Sequence, residues 1–456
     1  MQKNTLAKKS KRYDVDMTEG SAFRHLLNFA IPLLFGNLFQ QMYNMVDSWV
    51  VGNYVSKQAF AAVGTVGPIV NTLIGFFSGL ASGAGVVIAQ FYGAKKPEKV
   101  RQAVQMAILI TLVLTVLFTA IGVSMTPMML RLMKTTDEVF PEAVSYLTIY
   151  FSGMIGLLFY NMCSGILRAV GDSKRPFYYL VVAAMINTVL DLVFVIYFDM
   201  GVAGVAYATI IAQAASAALT LITLIHTDSC VKLTAHNFHL HWDVLAKIFT
   251  IGLPAALQMA VTAFSNVFVQ SYINFFGTEC MGGWTAYNKI DQLIFLPMQS
   301  LALAITTYVG QNLGRGRAEN AKKGVHTALA MSMTVTVVIS AVVIAFAPYL
   351  VEFFNDSEGV VQFGTMFLKW LTPFYTLCCI NQIYTGALRG AGDSRSPMFI
   401  MLGSFVVFRQ IYLFVMSHVA NEIIPIAMSY PAGWILCSVL TLIYYRKRHL
   451  ARLELA

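Results

Sequence analysis

The chain has 456 residues, 57% hydrophobic and only 12% charged, with a net charge of +9 and a mean hydropathy of +0.66. Soluble globular chains carry roughly 25% charged residues, so this composition excludes a water-solvated globule and predicts an all-α polytopic membrane protein. A membrane barrel is excluded too, because its strands would read as segments of about 10 residues with alternating polarity, and the long apolar runs here do not alternate.

The pattern predicts twelve spans, at 24–52, 60–91, 101–125, 140–168, 176–198, 201–225, 246–275, 281–312, 324–349, 363–389, 397–417 and 422–445. Many exceed the ~20 residues that cross hydrocarbon, which predicts tilt or extension past the bilayer. The domain reading is a tail at 1–22, an N-lobe at 23–225, a linker at 226–245, a C-lobe at 246–447 and a tail at 448–456. The first residues are polar and show no cleavage site after a short apolar run, unlike a cleaved signal peptide.

Charge location explains the basic balance. On this topology 25 of the 31 Lys and Arg fall on one side, and only Lys57, Arg131 and Lys134 lie in the opposite loops. That bias predicts both termini in the cytoplasm of a plasma membrane and removes the reason to invoke nucleic acid. The six cysteines show no metal or redox spacing and read as small buried hydrophobes. His236, His239 and His241 read as part of an interfacial connector beside Trp242, and no metal site is expected. No GxxxxGK[ST] loop is present, which argues against direct nucleotide drive.

The chain repeats itself. Gln90 and Gly93 match Gln311 and Gly314, and SGILRAVGDSKRPF at 164–177 matches TGALRGAGDSRSPM at 385–398, at an offset of 221; Pro32 and Asn44 match Pro254 and Asn266 at 222. Each copy holds an even number of spans, so the halves are parallel. Parallel repeats of this kind build transporters with a substrate site at the repeat interface. In LRxxGDSxxP the Gly lets the backbone leave the helix, Asp and Ser are expected to cap the next one, and Pro176 or Pro397 suits its first turn.

Twelve spans in parallel halves, with paired QxxG and LRxxGDSxxP motifs, resemble the multidrug and toxic compound extrusion (MATE) family from about residue 20 to 447. The resemblance implies cation-driven efflux of organic cations by alternating access, with no cofactor beyond H⁺ or Na⁺ as coupling ion. The expected partners are a small organic cation and the lipid bilayer, and the expected state is a monomer. Two alternatives remain: a lipid-linked oligosaccharide flippase of the same superfamily, and a membrane-embedded enzyme, for which neither HExxH nor GxSxG is found.

Three acids fall well inside spans: Asp47, Asp191 and Asp291. Intramembrane acids face protein or water and are functional candidates by default. Asp47 ends a polar stripe on span one, and Asn187 precedes Asp191 by one turn. The repeat replaces them by Val269, Phe408 and Tyr412, so a purely structural role would leave the second half unsupported. This points to a cation-coupling site in the N-lobe. The resemblance implies the same place: family members with an N-lobe site carry an acid in span one, an Asn-x3-Asp pair in span five and a polar residue in span six, here Asp47, Asn187, Asp191 and Thr209. Two buried carboxylates cannot both stay ionised without a shared cation or proton, and the oxygen donors suit Na⁺.

Pro32 interrupts the ladder of span one and offers a hinge. Gln40, Tyr43, Asn44, Gln258, Thr262 and Asn266 are the substrate-cavity candidates, since polar residues avoid lipid. Lys289, Asp291, Lys369 and Arg409 form an expected intramembrane charge network, with Asp291 paired to Arg409 or Lys289.

Overall fold

A computed structural model of the chain describes residues 14–234 and 239–447. The basic residues expected of the tails before 14 and after 447, and His236, lie outside the described residues. Every described element is helical. Spans one to three are Ala22–Tyr54, Lys57–Gly93 and Pro97–Leu132, and span four is Phe140–Ser152 with Met154–Ala169. Span five is Lys174–Leu192 continued by a π turn at Val193–Tyr197, and span six is Gly201–His226. Spans seven to nine are Trp242–Asn274, Thr278–Gly314 and Ala318–Ala345, the last followed by Ala347–Glu352. Span ten is Glu358–Leu371 and Tyr375–Gly390, joined by a 3-10 turn at Thr372–Phe374; span eleven runs Arg395–Val419 through a π turn at Gly403–Phe408. Span twelve is Ile423–Ala427 with Ser429–Lys447.

Ten of these helices are long and apolar enough to cross a membrane, and eleven if the fourth pair counts as one. The interrupted span ten supplies the twelfth crossing. Two spans expected to be single helices are broken. Span four bends by 47° at Gly153, where a Cβ would lie 2.4 Å from Ile210. Span ten breaks at Pro373, which has no N–H for the helical ladder.

The repeat explains the packing of the halves. The start of span one places Leu26, Phe29, Ala30 and Leu33 against Leu301, Ile305 and Tyr308 of the second half. Further along, span one packs on its own half, with Val50 and Val51 among buried residues of spans two, four and six. Span seven does the converse. Val244, Ile248, Ile251 and Ala256 join the first half's core, and Val269 and Ile273 join the second's. Pro32 and Pro254 sit where each helix passes from the other half to its own, inside helices that remain continuous.

The side carrying the basic loops is sealed by the duplicated QxxG motif. Gln90 Nε2 donates to Gly390 O at 3.0 Å, and Gln311 Nε2 donates to Ala169 O at 2.9 Å. These are repeat-equivalent bonds crossing the axis in opposite senses. Glycine lets the backbones meet: a Cβ on Gly93 would stand 1.9 Å from Gln311 O, and one on Gly314 would stand 2.1 Å from Gln90 O. An N-terminal strap crosses the same seam. Val15 N donates to Val170 O at 2.9 Å, and Met17 N donates to Gln311 Oε1 at 2.9 Å. Asp16 pairs with Lys95, and Arg317 Nη1 donates to Thr18 O at 2.5 Å.

Candidate functional site

Between the halves lies a cavity of about 560 Å³, lined by spans one, two and four to six of the first half and by spans seven, eight, ten and eleven of the second. That volume is in the range of small-molecule sites. Gln40, Tyr43, Gln258, Thr262 and Asn266 line it. Asn44 does not; it is exposed, and its carbonyl accepts from Ser48 Oγ at 3.0 Å.

Two lining residues escaped the sequence reading. Arg168 and Arg389 open LRxxGDSxxP in the two halves, and both reach the cavity. Each was counted among the topological charges of a loop. The signal was present in the turn itself, because each arginine stands three residues before a left-handed glycine, Gly171 or Gly392, with φ of 85° and 91°. That offset places the arginine on the last helical turn, not in the loop. Asp172 Oδ1 caps the following helix by accepting from Lys174 N and Arg175 N, each at 3.1 Å, and Asp393 Oδ1 accepts from Ser396 N at 3.1 Å. The expected serine caps do not form: Ser173 and Ser394 make no side-chain cap bond.

Of the four residues expected to couple ions, Asp47, Asn187 and Asp191 are brought together on the first-half side of the cavity, and Thr209 lies on the adjoining span six. Asp47, Asn187, Asp191 and Thr209 are 8%, 1%, 0% and 6% exposed. Span one packs along span five, and span five along span six. The Asp47 carboxyl faces Asp191 and Asn187. Five of their polar atoms, Asp47 Oδ1, both Asn187 amide atoms and both Asp191 oxygens, have no hydrogen-bond partner. Thr209 Oγ1 donates to Val205 O at 3.0 Å, which leaves its oxygen lone pairs available. Asn187 and Thr209 line the cavity, whereas the two carboxylates are not among its lining residues. The π turn of span five starts two residues after Asp191, and such turns recur at functional positions.

The second half is built differently at the equivalent places. Val269 is fully buried where the first half has Asp47. Arg409, 3% exposed, donates from Nη2 to Ser265 Oγ at 3.0 Å and Asn266 Oδ1 at 2.9 Å, and lies 4.7 Å from the Tyr430 ring centroid. The expected ion pair of Asp291 does not form. Its Oδ1 accepts from Tyr375 and, at 3.4 Å, from Tyr287. Lys289 and Lys369 are exposed, so the four residues make no joined network. Phenols replace the cation because the aromatic core of Trp284, Tyr287, Phe367 and Tyr375 closes around the acid.

Two parallel six-span halves around a central cavity, with buried carboxylates behind one wall, define a two-lobe membrane transporter. The chain belongs to the MatE family, whose pattern matches residues 32–193 and again 254–415. The double match is the internal repeat seen from outside. The chain is similar to the probable multidrug resistance protein YpnP of Bacillus subtilis, with 29% identity over 86% of this chain and 88% of the relative. It is similar to the multidrug export protein MepA of Staphylococcus aureus, with 21% identity over 84% of this chain and 86% of the relative. The fold matches that of a multidrug resistance MATE family transporter in an outward-facing conformation, with a TM-score of 0.91, 22% identity, and coverage of 98% of this chain and 100% of that one. MATE proteins are transporters rather than enzymes, which settles the catalytic alternative.

Proposed function

We propose that the chain is a secondary efflux transporter that exchanges organic compounds for H⁺ or Na⁺ by alternating access. The observation that carries this is the buried group of Asp47, Asn187 and Asp191 with its five unpartnered polar atoms. A buried acid without partners is costly, and a proton or Na⁺ supplies what the protein leaves out. Asn187 and Thr209 extend the oxygen set toward the cavity, so ion occupancy and cargo would be sensed by the same wall. The relatives named for multidrug resistance and multidrug export support drug efflux as the role, and the flippase reading has no comparable support.

The basic-loop side is the cytoplasmic side in this account, with both termini there, a plasma-membrane location and a monomer as the working unit. The lobes are 23–225 and 246–447, joined by 226–245. With the QxxG seal closed on the cytoplasmic side, the cavity is in its outward state. Loading of Asp47 or Asp191 moves span one about Pro32 and displaces cargo. For the cargo, the family resemblance implies an organic cation; Tyr43, Tyr160 and Phe177 are among the cavity's lining residues and no carboxylate is, so the cargo's charge is a separate question.

Asp47→Asn tests this reading in cells sensitized to drugs. The variant is expected in the membrane at wild-type abundance with resistance lost. Full resistance in that variant would overturn the coupling role.

A further inference from the structure

We infer that the closed end of the cavity is an anion site, seated on Arg168 and Arg389, and that the cargo is an amphiphile bearing a carboxylate, sulfonate or phosphate. The inference rests on the cavity being the cargo site, and it specifies the cargo's charge.

Arg389 is 8% exposed. Its Nε has no hydrogen-bond partner, and its Nη2 makes only a long 3.4 Å contact to the neutral Gln258 Oε1. Arg168 reaches the same cavity from the other half. Among the described residues neither arginine has a carboxylate within salt-bridge distance. The acids of their own loops are engaged elsewhere. Asp172 holds Arg175 and the turn amides, and Asp393 is held by Ser396 and Tyr444.

The first-half acids do not serve as counterions. Asp191 stands 17 residues beyond the Lys174 end of span five, on the order of 25 Å along the helix. A guanidinium buried without a partner is unfavourable, and topology alone does not require it. Lys174, Arg175 and Arg395 already supply the loop charge from the adjoining turns. Guanidinium is the side chain best matched to carboxylate, sulfonate or phosphate oxygens through paired N–H donors. Both halves add apolar side chains to the polar ones that line the cavity, among them Phe177, Leu180, Met259, Leu303 and Met401. An anionic head with an apolar body therefore fits both the charge and the lining.

The test uses two probes with one body and opposite charge, naphthalene-2-sulfonate and 2-naphthyltrimethylammonium. Binding to the purified full-length protein in nanodiscs is measured by calorimetry. The wild type is expected to bind the sulfonate at least tenfold more tightly than the ammonium. Arg168→Gln with Arg389→Gln is expected to remove that preference, and Arg389→Lys to retain part of it. Equal binding, preference for the ammonium, or no binding of the sulfonate would overturn the inference, and these wild-type results stand even if the double variant fails to fold. Resistance lost in Asp47→Asn bears on ion coupling instead, so the two readings fail separately.

Discussion

At the residue scale, the difference between scaffold and site is a few positions where the repeat departs from itself. Val269 and Asp47 occupy equivalent buried places, and only one can hold a cation. Thr209 adds a hydroxyl oxygen whose proton is committed to Val205 O, so it serves as an acceptor. Thr209→Val is therefore expected to weaken Na⁺-driven efflux about tenfold while sparing H⁺-driven efflux, measured in vesicles under each gradient separately. Equal loss under both would assign Thr209 to cargo or packing. Asp291 poses a different case. Its carboxyl accepts from Tyr375 and Tyr287 within an aromatic core, a satisfied structural acid. Tyr375→Phe is expected to lower stability by about 1–3 kcal/mol, the usual cost of orphaning a buried polar group, read as a lower midpoint in thermal unfolding. An unchanged midpoint would show that the acid does not depend on that phenol.

At the element scale, the paired motifs act across the axis. QxxG works because glutamine from one half reaches the helix end of the other while glycine keeps the backbones in contact. A larger residue cannot keep that approach, since small-to-large changes in tight packing cost about 1–3 kcal/mol. Gly93→Val is expected to open the basic face. Thr306→Cys, at a cavity-lining position, then reports the opening by faster reaction with an impermeant maleimide added from that side. Unchanged labelling would mean that other contacts hold the seal. Both motifs were legible in the sequence as repeats, and the exit from the helix at Gly171 and Gly392 was expected. The cross-axis role of glutamine was not, because nothing in one copy shows which face the other presents. Nor were the break at Gly153 and the π turns, since hydropathy records how apolar a segment is, not whether its hydrogen-bond ladder is continuous.

At the scale of the whole molecule, twelve spans in two parallel halves were readable because long apolar runs and a 221-residue offset are properties of the chain alone. The acid group was readable because burial of charge is costly and the second half lacks it. The cavity arginines were missed because a rule about loop charge assigned every basic residue near a span end to topology, though one helical turn separates the loop from the cavity. The N-terminal strap was also missed, since residues 14–19 show no periodicity and gain their place only from both halves at once. Partial burial raises the Asp16 carboxyl, but the Lys95 ammonium and the Thr18 hydroxyl and amide outweigh that and bring it down to about 2. A lowered carboxylate contributes stability above its unfolded value of 3.8, and loses that contribution as pH falls toward 2. Hydrogen exchange of the strap amides is thus expected to be constant from neutral pH to about 4, after correction for intrinsic rates, with protection falling below that. Loss of protection near pH 6 would assign the strap to another group. The central claim is that the Asp47–Asp191 pair converts an ion gradient into cargo movement. Its most direct test is efflux of a fluorescent drug by proteoliposomes under imposed pH and Na⁺ gradients, comparing wild type with Asp47→Asn and Asp191→Asn. The account predicts uphill transport by the wild type under at least one gradient, and drug binding without uphill transport by both variants. Uphill transport by either variant at the wild-type rate would contradict it.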